Sequence, residues 1–476
     1  MKPFPQTMAF AGYNAPSRVE ADIFDLEIEG ELPAELKGVW YRMTPDPQFA
    51  PKLGDDFFIS GDGMISAFRF EDGHVDYKSR YVRTERFLAE RAARRALFGA
   101  YRNRFTYETS VAGLGRTVAN TSPIWHAGRL FASKEDGLPY EIDPDTLETL
   151  GRFDWDGQLK TVTVSAHPKV DTRTGEMLFY GYEASGDASR DMAFCVADAE
   201  GRLVSEEWFE APYPGMVNDF AITEDYAVFP IFPTLTDLDR MKAGGPHWMS
   251  DITQDCWVAV VPRKTGVKDI RWFRRPGGQF FHVINAFNEG EQITLDLCVS
   301  EMNSFPFIPD VSGAPYDPAK ASTFPSRWTL DLTRNDDQIG ERPVSVVPGD
   351  VPRIDDRRIG LTYRQAWMGM VDPTRAMRMS GPVGGGFNLV GRVDMETGEV
   401  DAWYGGDDDA FQEPQFVPTG PGETDGYVLS VIERHADNLS DVGVFRAGQM
   451  AEGPVATIKL PLRLRGAVHG CWRQLP

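Results

Sequence analysis

The sequence predicts an all-β fold, most simply a β-propeller, and three observations support this. Turn signals recur between short apolar and aromatic runs over most of the 476 residues, which include 46 Gly and 34 Pro. Two of the turns share the pattern Asp-x-x-Thr-Gly-Glu, and four chemically similar segments lie about one blade length apart or a multiple of it. A β-sandwich would show similar turns but would rarely need this length, so the propeller is favoured.

The repeated turn pattern predicts two β-hairpins. It occupies residues 171–176 and 394–399, and each copy precedes an aromatic-rich run, at residues 177–182 and 400–404. Glycine in such turns adopts a positive φ at low steric cost, and the alternating residues around it are typical of strands. A related turn signal occurs at residues 71–73.

Three histidines and one asparagine, His167, Asn218, His282 and His469, occur in short apolar segments typical of strands or strand ends. The successive steps between them are 51, 64 and 187 residues. The first two steps are each about one blade, and the third is three to four blades. Inner strands of successive blades face one axis, so the four side chains would meet there. Imidazole is a common ligand of iron and zinc, and this pattern predicts a metal centre. The alternative is that each is an ordinary structural histidine.

One segment departs from the β pattern. Residues 84–100 are rich in helix formers, with Leu88, Ala92 and Ala96 at helical spacing. One interpretation is a surface helix packed on the propeller; the other, which we carry forward, is a small helical cap over the substrate entrance. No linker or second domain is visible, so residues 1–476 are predicted to form one domain with a helical insertion at about 84–100.

Composition excludes several function classes. The net charge of −22 and the pI of about 4.8 disfavour nucleic-acid binding. The four cysteines are widely separated, which suits a reducing compartment, and no signal peptide or membrane-spanning apolar run is visible. We therefore expect a cytoplasmic protein that binds neither nucleic acid nor membrane. A homodimer is left open.

A series of short motifs resembles a known family, the carotenoid cleavage oxygenases, and within it the stilbene-cleaving lignostilbene dioxygenase branch. The resemblance runs in the right order from about residue 20 to the C-terminus. The motifs lie at residues 36–42, 61–64, 68–70, 119–122, 134–140, 165–169, 218–223, 352–355, 413–418 and 469–470.

The resemblance implies a seven-bladed β-propeller with Fe(II) on its axis, held by four histidines. O₂ would be the co-substrate, and the central C=C bond of the substrate would be cleaved to two aldehydes. His167, His282 and His469 match three of the ligand positions. Asn218 matches the fourth, where the family form of the motif is His-Asp-Phe. This departure predicts weaker iron binding and lower activity than in the family.

The resemblance also implies three carboxylates that orient the ligand histidines. Glu135 and Glu413 match two of them, and Asp350 stands where the third would be a glutamate. The shorter arm of Asp350 predicts a longer hydrogen bond to its histidine or one through water. Glu135 is expected to face position 218, where the Asn218 amide would donate its N–H to Glu135 and turn its oxygen toward the iron.

In the stilbene-cleaving branch, a tyrosine and a lysine bind the 4-hydroxyl of a phenolic stilbene and help to deprotonate it. Tyr101 and Lys134 match them, and we expect both to act on the substrate. Taken alone, each would more often be structural. Ile59 stands where an aromatic residue would pack on the substrate ring, and Phe281 is expected to line the same pocket.

Three functional hypotheses follow. The first is an Fe(II)-dependent dioxygenase that cleaves phenolic stilbenes of the lignostilbene or resveratrol type. The second is a low-activity or non-oxidative binding protein on the same scaffold, because of Asn218. The third is an active enzyme in which Asn218 is an introduced replacement.

Overall fold

The computed structural model describes residues 2–382 and 385–475. The N-terminal strands are β1 (Ala21–Ile23), β2 (Ile28–Gly30), β3 (Gly38–Pro45), β4 (Gly63–Glu71) and β5 (His74–Tyr81). The next strands are β6 (Ser122–His126), β7 (Arg129–Ser133), β8 (Tyr140–Ile142), β9 (Thr149–Arg152), β10 (Lys169–Val170), β11 (Met177–Tyr182), β12 (Asp191–Ala197) and β13 (Leu203–Glu210).

The middle of the chain contains β14 (Ala221–Ile222), β15 (Tyr226–Ile231), β16 (Thr234–Leu235), β17 (Met249–Ser250), β18 (Cys256–Pro262), β19 (Arg271–Arg275), β20 (Gln279–Glu289), β21 (Gln292–Ser300), β22 (Phe324–Asp331) and β23 (Gly340–Pro343). The last strands are β24 (Gly349–Arg353), β25 (Gln365–Met370), β26 (Leu389–Asp394), β27 (Val400–Trp403), β28 (Asp409–Phe411), β29 (Gln415–Pro418), β30 (Gly426–Arg434), β31 (Leu439–Arg446), β32 (Pro454–Leu460) and β33 (Gly470–Gln474). The helices are α1 (Glu85–Ala93), α2 (Leu238–Lys242) and α3 (Pro318–Ala321).

In the part of the chain that the structure describes, these strands form seven antiparallel sheets, and a small β16-β17 ribbon lies outside them. Blades 1 to 7 have the strand orders β1-β5-β4-β3-β33, β6-β7-β8-β9, β10-β11-β12-β13, β14-β15-β18-β19, β20-β21-β22-β23, β24-β25-β26-β27 and β2-β32-β31-β30-β28, with β29 also on β30. Inner-edge strands of neighbouring sheets contact one another, as β33 does with β6 and β29. The prediction of a seven-bladed β-propeller is confirmed.

Both ends of the chain close the ring. The last strand, β33, pairs with β3 in blade 1, where Gly38 lies opposite Gln474 and Arg42 opposite Gly470. The N-terminal strand β2 pairs with β32 in blade 7. Blades 1 and 7 therefore cannot separate without the loss of both strand pairings. The same pairing holds His469, which directly precedes β33.

Apolar side chains fill the spaces between neighbouring blades. Trp367 of β25 stacks on Phe416 of β29 with ring centroids 4.4 Å apart and planes 5° apart. Trp155 stacks in the same way on Phe179 of β11, at 4.7 Å. Because a blade is covered on both faces, its central strands are buried throughout, as all eight residues of β3 are.

The two repeated turns form the predicted hairpins. In the first, Gly175 has φ of +75° and donates its N–H to the Asp171 carbonyl at 2.7 Å, directly before β11. In the second, Gly398 also has φ of +75° and bonds to Asp394 in the same way, before β27. Positive φ explains why glycine occupies this position in both copies.

Helix α1 is present but shorter than the predicted segment. The Thr84 hydroxyl caps its first turn, and it ends where Arg94 adopts the left-handed conformation with φ of +57°. Its buried residue Phe87 packs on Met64 and Tyr81 of blade 1. None of its residues is among the described residues that line the cavity presented below. These contacts favour a helix packed on the propeller, and the cap over the entrance stays a prediction.

Among the described helices, none has both the length and the apolar character that crossing a bilayer requires.

Candidate metal centre and adjoining cavity

Three imidazoles meet where the inner strands converge. His167 lies just before β10, His282 lies within β20 and His469 lies just before β33. One ligand atom from each ring lies within 4.8 Å of the others. The ring centroids are 4.6 to 5.5 Å apart. Burial lowers the pKa of His167 well below its usual range, and His469 and His282 lower it further. This ring is therefore neutral and can offer a nitrogen lone pair to a metal.

Two carboxylates hold two of these rings. His282 Nδ1 donates to Asp350 Oδ1 at 2.7 Å, and His469 Nδ1 donates to Glu413 Oε1 at 2.7 Å. Glu413 also accepts the backbone N–H of Gly470 at 2.7 Å. A proton fixed on Nδ1 leaves the Nε2 lone pair of each ring free for a metal.

Asp350 reaches its histidine directly, which corrects the expectation of a longer or water-mediated bond. The reason lies in the backbone of β24. Its register with β25 shifts between Asp350 and Arg353, and Val351 adopts φ of +50°. We infer that this bulge compensates for the shorter side chain.

Asn218 lies at the same centre as the three histidines. Its side-chain nitrogen is 3.4 Å from His167 Nε2 and 3.4 Å from the Phe281 carbonyl oxygen, to which it donates. The amide therefore bonds to Phe281, and the expectation that it donates to Glu135 is wrong. Three imidazoles thus face the centre, and an amide stands beside them.

The donor set fits a divalent transition metal. Three imidazoles are the ligand set of many such sites, which keep another position open for water or substrate. In addition, His282 Nε2 is buried without a hydrogen-bond partner. A buried polar atom rarely lacks a partner, and a metal ion at the centre would supply one.

A mainly apolar cavity of about 670 Å³ reaches His282, His469 and Asn218. Its wall contains several aromatic rings in mutual contact, and Ile59 lies on the same wall. Among the pairs, Phe281 meets Phe305 edge-on at 4.5 Å, and the Phe57 ring lies 5.1 Å from Tyr101. The volume is in the usual range for small-molecule sites.

Tyr101 and Glu135 form a polar end of this cavity. The Tyr101 hydroxyl donates to Glu135 Oε1 at 3.5 Å, and both residues line the cavity. Burial raises the pKa of Tyr101 well above its usual range, and the charge of Glu135 raises it further. Tyr101 is therefore a protonated donor.

Lys134 lies behind this end of the cavity and is not among the described residues that line it. Its ammonium donates to the Ile59 carbonyl at 2.8 Å and lies 4.8 Å from the centre of the Tyr101 ring. Burial lowers the pKa of Lys134, although the nearby carboxylates Asp136 and Glu135 oppose the shift. A direct bond from Lys134 to substrate stays a prediction.

Two residues at the site had no role in the sequence predictions. Arg102 has its guanidinium 3.7 Å from Glu135 and forms a buried ion pair with Glu183 at 2.5 Å. Asp219 accepts from Lys169 at 2.8 Å and from the Val283 backbone at 2.9 Å. Their only sequence signal was adjacency to Tyr101 and to Asn218.

Comparison with known proteins identifies relatives along nearly the whole chain. A family model described as retinal pigment epithelial membrane protein matches residues 14–474. An isoeugenol monooxygenase of Pseudomonas nitroreducens is 46% identical over 97% of both chains. A lignostilbene-alpha,beta-dioxygenase isozyme III of Sphingomonas paucimobilis is 44% identical, over 99% of this chain and 98% of its own. The crystal structure of Pseudomonas brassicacearum lignostilbene dioxygenase is 43% identical, with a TM-score of 0.96 and complete coverage of both chains.

Proposed function

This chain belongs to the carotenoid oxygenase family, which includes the retinal pigment epithelial membrane protein, and we propose that it is an Fe(II)-dependent dioxygenase acting on phenolic stilbenes. Its reaction adds O₂ across the central C=C bond, so that one alkene yields two aldehydes. Family membership supports oxidative cleavage of a C=C bond. The metal and the substrate are the parts that we propose.

The observation that carries the proposal is the position of three imidazoles at the inner end of an apolar cavity. The cavity reaches His282 and His469, and its polar end at Tyr101 and Glu135 suits a phenolic hydroxyl. His167, His282 and His469 would hold Fe(II), which supplies O₂ activation when bound. Asp350 and Glu413 fix the proton on Nδ1 of two of these rings, which would leave their Nε2 lone pairs for the metal.

The protein side chains bind and orient the substrate. Tyr101 would hydrogen-bond the 4-hydroxyl of the bound neutral phenol, and the ammonium of Lys134 behind it would stabilise the negative charge that develops on this oxygen during the reaction. The rings of Phe57, Phe281 and Phe305 would pack on the aromatic rings and exclude water. Negative charge on this oxygen moves electron density onto the alkene, which makes oxidation of the C=C bond easier.

The names of two relatives suggest different substrates, a stilbene and the shorter propenylphenol isoeugenol. The cavity of about 670 Å³ favours the stilbene, because it has room for a second ring beyond the alkene. A specific observation favours one other candidate function: Asn218 at the metal centre is compatible with a stilbene-binding protein without oxygenase activity.

The test is cleavage of trans-4-hydroxystilbene by protein loaded anaerobically with Fe(II) and then exposed to O₂. We expect 4-hydroxybenzaldehyde and benzaldehyde in equal amounts, one O₂ consumed per alkene, and iron retained on elemental analysis. The 4-methoxy analogue and isoeugenol are run beside it. Tight binding of the stilbene without any aldehyde, both for this chain and for Asn218→His, would leave the binding-protein candidate instead.

A further inference from the structure

Glu135 differs from the other carboxylates at the metal centre. Asp350 and Glu413 each accept a proton from an imidazole at 2.7 Å. Glu135 bonds to no imidazole among the described residues. The Asn218 amide, which the resemblance places opposite it, donates to the Phe281 carbonyl instead. Glu135 is therefore not engaged in holding a metal ligand in this chain.

The contacts of Glu135 lie at the polar end of the cavity. It accepts the Tyr101 hydroxyl at 3.5 Å, and the Arg102 guanidinium 3.7 Å away compensates its charge. It also lines the cavity itself. The Tyr101 hydroxyl has one proton, and it donates that proton in its hydrogen bond to Glu135. The oxygen of Tyr101 is then left with lone pairs only, so it acts as an acceptor toward the cavity.

This direction of hydrogen bonding has a chemical consequence. Donors such as an ammonium or a tyrosine O–H can bond to a phenol and to an aryl ether alike, because both carry an acceptor oxygen. An acceptor bonds only to a free hydroxyl. A methyl ether would also leave the Tyr101 oxygen unpaired in a buried site, which is unfavourable.

We propose that Glu135 is a specificity-determining residue that makes the site selective for a free phenolic hydroxyl over its ether. It acts through Tyr101, by a chain of hydrogen bonds from the substrate hydroxyl to Tyr101 and from Tyr101 to the carboxylate. This inference rests on the proposed phenolic substrate and refines it. Glu135 is a positioning residue, since the group that touches the substrate oxygen is Tyr101.

The experiment measures equilibrium binding without turnover. The purified protein is titrated under anaerobic conditions with trans-4-hydroxystilbene and with its 4-methoxy ether, followed by quenching of the tryptophans, of which Trp248 lines the cavity. The quantity of interest is the ratio of the two dissociation constants. In the unaltered chain the hydroxy compound should bind at least about ten-fold more tightly, as expected for hydrogen bonds that involve a charged group.

Glu135→Gln should reduce this ratio by about ten-fold. Tyr101→Phe should lose the preference as well, and adding Glu135→Gln to it should change little, because both act in one chain. Glu433→Gln is the matched control, because Glu433 also lines the cavity but is bonded to Gln412 and His435.

Two results would overturn the proposal. One is an unchanged ratio in Glu135→Gln together with a loss of bound metal, which would make Glu135 a support of the metal centre. The other is a ratio near one in the unaltered chain. Failure of the proposed function has a separate signature, namely absence of aldehydes in the aerobic assay whatever the binding ratios are.

Discussion

At the scale of single residues, one amide distinguishes the candidate metal centre. Asn218 occupies the position next to three imidazoles but offers an amide in place of a fourth ring. An amide is a weaker ligand for Fe(II) than imidazole nitrogen. Its nitrogen points to His167 Nε2 and to the Phe281 carbonyl. On the proposed function, position 218 therefore offers a weaker ligand than an imidazole, and Glu135 bonds to no imidazole among the described residues, unlike Asp350 and Glu413.

The first prediction is that Asn218→His raises both iron content and the rate of alkene cleavage. Loss of a group that only orients a ligand typically lowers metal affinity or activity about 10- to 100-fold, and restoring a ligand should gain at least as much. Iron is measured after dialysis against a chelator series, and cleavage is measured as aldehyde release. Equal iron retention and equal rates for the two proteins would show that three histidines, with or without the Asn218 amide, are enough to bind iron and cleave the alkene.

At the scale of single elements, the hairpins show how strictly a turn constrains its glycine. Gly73, Gly175 and Gly398 all have positive φ, between +75° and +81°. Their surroundings differ. An added Cβ would meet open space at Gly73, the Ala199 methyl at 2.8 Å at Gly175, and the Val344 carbonyl oxygen at 2.2 Å at Gly398.

The second prediction ranks alanine substitutions at these three positions. Gly73→Ala should lower the free energy of unfolding by about 1–2 kcal/mol, the usual penalty of the left-handed conformation. Gly398→Ala should cost about 1–3 kcal/mol more, because the backbone of a neighbouring segment must move. The loss of unfolding free energy for Gly175→Ala should fall between the other two, because the Ala199 methyl group can move more easily than a backbone carbonyl. Urea denaturation of the three variants gives the ranking, and equal values would contradict it.

The third prediction concerns Asp171, whose carboxylate joins the turns of blades 3 and 4. Burial alone would raise the pKa of Asp171, but hydrogen bonds from Arg173 and Arg263 outweigh it and lower the pKa to about 2. A group with a depressed pKa stabilises the fold above its unfolded pKa of about 3.9, and the contribution is lost as pH falls toward 2. We expect about 1–2 kcal/mol after screening.

Urea unfolding of the parent and of Asp171→Asn as a function of pH checks this. The difference in unfolding free energy between them should be constant above about pH 5 and should shrink between about pH 4 and pH 2. Asp331→Asn serves as the control, because Asp331 only caps a local exposed turn. A difference that does not change with pH would show that the carboxylate charge contributes nothing.

At the scale of the whole molecule, ring closure and the metal centre depend on the same strand. β33 completes blade 1 against β3, and His469 directly precedes it. The backbone of His469 is held from both sides, since its carbonyl accepts Met43 N–H at 2.9 Å and its N–H donates to the Thr121 carbonyl at 3.1 Å. The C-terminal strand therefore closes the ring and also positions His469, one of the three proposed metal ligands.

The fourth prediction is that a chain ending at His469 loses cooperative unfolding and bound metal together. Without β33 the inner edge of β3 is unpaired and blade 1 is open to blade 7. A chain ending at Gln474 keeps all of β33 and should resemble the parent. Thermal unfolding followed by circular dichroism, with metal analysis of the same samples, compares the three. Full metal binding by the shorter chain would show that the metal centre does not depend on closure of the propeller ring.

Local chemistry in the sequence was enough to predict the propeller, the hairpins and the segments that carry His167, His282 and His469. Turn glycines and strand alternation act over a few residues, and motif order alone identified the family. The resemblance likewise named Asp350 and Glu413 as partners of histidines.

What only the tertiary structure decided is how these pieces approach one another. The bulge of β24 lets the short Asp350 arm reach His282, and α1 packs on the flank of blade 1. The Lys134 ammonium bonds to the Ile59 carbonyl, and Glu135 contacts Tyr101 and Arg102. Each of these outcomes depends on distances and backbone directions between segments far apart in the chain. Residue type and spacing do not encode such distances, because they arise from the packing of whole blades.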